Sequence, residues 1–85
     1  MNNYDRERAL GQYVALKKQI YELSIKSQSL VKDIHEETDS FLSDKDFTSM
    51  NFKKVETLAK ELQLLQDEYK EKAGKMEQLK TTFNF

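Results

Sequence analysis

Large apolar side chains recur at alternating spacings of three and four over two long stretches of the chain. The first series runs Tyr13, Leu16, Ile20, Leu23, then Ser27, then Leu30 and Ile34. The second runs Val55, Leu58, Leu62, Leu65, Tyr69, Met76, Leu79 and Phe83, with only Lys72 interrupting it. A rhythm of three and four averages 3.5 residues, the repeat that keeps one stripe of a helix turned toward a neighbouring helix. Each stretch therefore predicts a long α-helix with a heptad seam, the first over about residues 4–38 and the second over about 52–81.

Between them, the first seam continued at heptad spacing passes through Glu37, Phe41, Asp44, Thr48 and Asn51 before it meets Val55. Four of these five are polar, and the segment is dense in Asp, Ser and Thr, which draw the backbone away from the helix by bonding to it locally. The chain is expected to reverse over about residues 39–51, with Ser49 or Asn51 capping the second helix and Met50 and Val55 stapling its start if Asn51 is the cap. Phe41, Leu42, Phe47, Met50 and Phe52 are apolar for a loop and are expected to close the end of the bundle. At the other end Asn2 or Asn3 is the expected cap of the first helix, with Asp5 and Glu7 in its first turn. The fold class is all-α: an antiparallel helical hairpin, expected to dimerise into a four-helix bundle or coiled coil. The two seams share one heptad phase, so a chain straightened through 37–51, exchanging helices with a second copy, is the alternative architecture.

Composition sharpens this picture. The 85 residues allow one domain, 34% of them charged, with no proline and two glycines, a balance suited to long helices. So short a chain buries a small fraction of its surface alone, and without cysteine no disulfide or thiolate metal site adds stability. Pairs at the favourable spacing, Glu22 with Lys26, Glu56 with Lys60, Glu68 with Lys72 and Glu71 with Lys75, support the helices. Charge is balanced at a net −1, with no basic arm or acidic tail. The longest apolar run, Tyr13-Val14-Ala15-Leu16, is too short for a membrane span or a secretory signal. A soluble protein follows as the expectation, with the cytoplasm as its compartment.

Candidate chemistry is sparse. His35 is the single histidine, on the flank of its helix, and Asp44-Lys45-Asp46 lacks the glycine and terminal glutamate of a calcium loop. No nucleophile motif, phosphate loop or paired metal ligands occur, so neither catalysis nor a cofactor is expected. Ser27 and Lys72 interrupt the seams as single polar positions, the kind that fix register or oligomeric state, the lysine stem lying along apolar neighbours with its amine in water. Glu61-Leu62, Leu65 and Tyr69 stand at the spacing found in the second helix of the small sporulation aspartyl-phosphate phosphatases of the Spo-zero-E type, and residues 59–69 resemble that family. The resemblance implies a helical hairpin. Ala59 and Gln63 stand where that family carries its signature serine and aspartate, so its activity is not carried over.

One pattern exceeds the needs of a two-helix seam. Leu10, Val14, Tyr21 and Ile25 form a second apolar stripe on the first helix, about 150° around from its seam at 100° per residue. Burial within a homo-oligomer and docking of a helix from another protein are the two expectations for it. The function these features predict is a non-enzymatic protein-protein interaction module: a small adaptor, assembly factor or regulator acting through helix faces. The alternative is a helical-hairpin regulator that binds nucleic acid, for which Lys17-Lys18 and Lys53-Lys54 are the only basic doublets.

Overall fold

The computed structural model describes residues 3–44 and 47–85, the side chains of 40–44 excepted. Two helices, α1 (Asn3–Asp44) and α2 (Phe52–Phe83), pack side by side as an antiparallel hairpin, joined through a short 3₁₀ turn at Phe47–Ser49. No strand occurs among the described residues. The hairpin is a rod of 64 × 15 × 14 Å, its length that of α1, since 42 residues at about 1.5 Å each span roughly 63 Å. Its radius of gyration is 19.0 Å, where a compact domain of this length has about 12 Å.

The two apolar series lie along the line between the helices. Leu23 is buried at 5% exposure, and Tyr13, Leu16, Ile20, Leu30, Ile34, Val55, Leu58, Leu62, Leu65, Met76, Leu79 and Phe83 are half-buried. Tyr69 occupies its heptad position but stays exposed. The core is therefore a single line of side chains: among the described residues only Ala9 and Leu23 are buried. Ala9 extends the seam four residues before Tyr13, where a methyl is small enough to vanish between the helices.

Both helices run further than their patterns predict. α1 continues through 39–44, because a helix already nucleated adds each residue cheaply and the Asp and Ser there cost only fractions of a kcal/mol apiece. The reversal thus begins only after Asp44. Pairing of Gln19 with Lys72 and Glu37 with Lys54 sets the start of α2 level with Asp39, so α1 overshoots and the connection returns to the register. Asn51 is the N-cap of α2, its side chain accepting from the Lys54 amide at 3.0 Å, while Met50 and Val55 are half-buried beside it. Glu37 reaches across to accept the Asn51 amide at 3.2 Å and to pair with the Lys54 amine at 3.4 Å. Asn3 is already within α1, and Asn2 lies outside the described residues.

Two members of the expected apolar plug at this end, Phe47 and Phe52, do not join it, whereas Met50 is half-buried. Phe47 is 58% exposed and Phe52 is exposed too, their rings meeting on the surface at 5.0 Å between centroids. A seven-residue connection leaves no third element for them to pack under. The side chains of Phe41 and Leu42, and the reading of Asp44-Lys45-Asp46, lie outside the described residues.

At the opposite end α2 runs to Phe83, past the expected 81, and closes with Asn84 in the left-handed region at φ 56°. The amides of Asn84 and Phe85 both donate to the Lys80 carbonyl, a Schellman-type ending that asparagine tolerates better than other side-chain-bearing residues. That turn throws the Phe85 ring back onto Tyr13, at 5.4 Å, and Phe83, at 5.8 Å. Arg6 lies over the Phe85 ring at 5.2 Å and donates to the Phe83 carbonyl, tying the first turns of α1 to the last of α2.

The surface pairs Glu56 with Lys60 (3.0 Å), Glu68 with Lys72 (3.6 Å) and Glu71 with Lys75 (3.2 Å) form as their spacing predicts. Glu22 and Lys26 do not close to pairing distance among the described residues, since long exposed side chains gain too little to be held in one geometry.

Two stability outcomes follow from these local structures. Gly11 and Gly74 are mid-helix, and a methyl group added at either would meet open space, so Gly11→Ala and Gly74→Ala should each stabilise by about 0.5–1 kcal/mol, read as additive rises in Tm. In the other direction, Asn51→Ala should cost about 1 kcal/mol, checked by urea denaturation; an unchanged midpoint would show that the cap is dispensable.

Candidate functional site

With seam positions lettered a and d, the residues flanking the seam are e on one side of the hairpin and g on the other. In an antiparallel pair the e positions of both helices share one side and the g positions share the other. The g side carries Asp5, Gln12, Gln19, Lys26 and Asp33 of α1 with Lys54, Glu61, Glu68, Lys75 and Thr82 of α2. Seven of these ten are charged. The e side carries Leu10, Lys17, Ser24, Val31 and Thr38 of α1 with Phe52, Ala59, Gln66, Ala73 and Lys80 of α2, of which two are charged.

Side-chain geometry deepens this difference. Lys72, a d residue, keeps its stem in the seam with 23% of the side chain exposed. Its amine is not simply in water: it donates to the Gln19 amide oxygen at 2.6 Å and pairs with Glu68, both on the g side. Glu37, also charged and on the seam line, likewise turns to Lys54 on the g side. Two hydroxyls, those of Ser27 on the seam and Thr38 at an e position, turn inward instead. Ser27 donates to the Leu23 carbonyl at 2.7 Å, and the Thr38 hydroxyl lies 3.0 Å from the Ile34 carbonyl and 3.2 Å from that of His35. Their donors are satisfied by their own helix, so covering them would strand no hydrogen bond.

Shallow grooves line both sides. On the g side one of about 560 Å³ is bordered by Gln12, Leu16, Lys75 and Gln78, and one of about 450 Å³ by Lys26, Leu30, Glu61 and Leu64. On the e side a groove of about 470 Å³ runs past Ser27, Ala59, Leu62, Gln66 and Tyr69. They are open furrows between two helices, with walls of one residue's depth, unlike the concave sites that enclose a small ligand.

The outer stripe of α1 lies on and behind the e side. Leu10, Val14, Tyr21 and Ile25 are all exposed, Tyr21 at 68%, and Val31 joins them. On the same side of the hairpin α2 presents Ala59 and Ala73 at its e positions. Leu64, 68% exposed, is the isolated large apolar residue on the opposite flank of α2. His35 sits on the surface 3.9 Å from Asp39, and no group of three metal-ligating side chains occurs among the described residues.

Sequence reading identified the α1 stripe but not the uncharged flank of α2, because alanines and a glutamine carry no apolar signal of their own. Comparing e with g positions across both helices would have found it. Gln19 as the acceptor for Lys72 had no such signal. No known protein family, curated protein or solved structure matches the chain.

The bond from Lys72 to Gln19 is a register contact, and a double-mutant cycle of Gln19→Ala with Lys72→Leu tests it. A coupling of about 0.5–1 kcal/mol is expected, allowing for partial solvent exposure. Additive effects would mean that the contact does not hold the helices in register.

Proposed function

We propose that this chain is a non-enzymatic protein-protein interaction module that works through the e-side face of its hairpin. The observation carrying this reading is the asymmetry of the flanks: a two-helix pair needs apolar residues only at a and d, yet here a third, mostly uncharged flank is exposed along both helices. Helices whose apolar stripe widens to a, d and e are those packed in larger helical assemblies. An adaptor, assembly factor or small regulator fits this architecture, since a rigid rod presents one extended face without enclosing a reactive pocket. Charge over the remaining surface, with no cysteine in the sequence, fits a protein of the cytoplasm. Among the described residues no helix is long and apolar enough to cross a membrane.

The test compares capture of protein by immobilised wild type and by Val14→Glu/Tyr21→Glu. Both sites are exposed in the single hairpin, so its intrinsic helix pairing should be preserved. Loss of capture by a variant that remains helical by circular dichroism is the expected result. Equal capture by the two proteins would refute the reading.

A further inference from the structure

We infer that the occupant of the e-side face is a second copy of this chain, two hairpins meeting face to face across a two-fold axis as a four-helix bundle. The inference rests on the interaction reading above and adds the partner and the geometry.

Surface area is the first argument. The chain exposes 6715 Å², whereas a compact monomer of 10.1 kDa exposes about 5300 Å². The excess is roughly 1400 Å² per chain, and a stable interface of standard size needs about 800 Å² from each partner. A second hairpin of the same length can cover the face from end to end. It would also convert the single line of half-buried seam residues into a core with neighbours on a third side.

Self-complementarity is the second argument. A two-fold interface sets one patch against itself, so a charged patch would stack like against like, whereas the e side carries charge only at Lys17 and Lys80 among its ten positions. The g side, where Lys72 and Glu37 send their charged heads, stays in water under this arrangement. The face also mixes protrusions and gaps: Tyr21 and Val31 stand out from α1, while Ser24, Ala59 and Ala73 leave room for a closely approaching helix. Ser27 and Thr38, already bonded to their own carbonyls, can be covered without losing water they need.

Sedimentation equilibrium from low to high micromolar concentration tests the inference on the full chain. A particle of twice 10.1 kDa is expected. Val14→Glu/Tyr21→Glu should weaken its association at least about tenfold, while Leu64→Glu on the other flank should leave it unchanged. Because a charged variant could unfold, a milder pair completes the test in a chain that has no cysteine of its own. Maleimide labelling of Tyr21→Cys should slow as protein concentration rises, while labelling of Leu64→Cys should not. A concentration-independent monomer overturns the inference, as does dissociation by Leu64→Glu with the e-side variant still associated. If the chain is monomeric but capture of a different protein still depends on Val14 and Tyr21, the second copy is excluded and the interaction reading survives. Monomeric behaviour together with stripe-independent capture removes both.

Discussion

Everything in this hairpin depends on two heptad seams lying in one register, because a single line of half-buried side chains is all the core it has. In a globular domain a misplaced residue loses a few of many neighbours. Here a slip of one heptad would keep most apolar contacts, since Leu, Ile and Val replace one another along the seam, and the apolar series alone discriminates weakly between registers. Polar contacts supply the discrimination. Arg6 to the end of α2, Lys72 to Gln19, and Glu37 to the start of α2 fix the two helices at both ends and near one third of their length. A one-heptad slip would carry Glu37 away from Lys54 and Arg6 away from the end of α2.

The same contacts divide the rod lengthwise. Lys72 and Glu37, charged yet placed on the seam line, have to reach water or a partner, and both leave by the g side, where Glu68 and Lys54 meet them. A charged flank tolerates this and an uncharged one would not, so the polar register contacts and the charged surface belong together. What remains on the other side is a face of mostly small, apolar and amide side chains, with Lys17 and Lys80 as its charged e positions and the Ser27 and Thr38 hydroxyls folded back onto their own backbone. Its exposure in the single hairpin has no role in holding α1 to α2. That separation makes the face available for association without disturbing the fold.

Helix termini illustrate how local chemistry sets the ends of so thin a structure. Asn51 starts α2 by capping its third amide, and Glu37 braces the cap from the facing helix. Asn84 stops it by entering the left-handed region, which turns Phe85 inward onto Tyr13 and Arg6. One end is closed by hydrogen bonds and the other by stacked rings. The Phe47 and Phe52 rings, which a sequence reader would assign to the core, pack on each other outside it instead.

Periodicity and capping are local properties of the chain, so the helices, their seams, a reversal within about residues 39–51 and a cap for α2 at Ser49 or Asn51 were all legible before any fold was known. The α1 stripe was legible for the same reason. Whatever depends on alignment between distant segments had to wait for the packed hairpin: that Lys72 finds Gln19, that Glu37 serves the start of α2, and that Phe85, off the heptad, completes the core at the open end. The persistence of α1 to Asp44 has a local cause instead, since extending an existing helix outweighs the small propensity cost of its Asp and Ser residues. The e-side face lies between these cases. Its residues can be named from the heptad letters, but only the antiparallel pairing brings the e positions of both helices onto one side and makes them a surface.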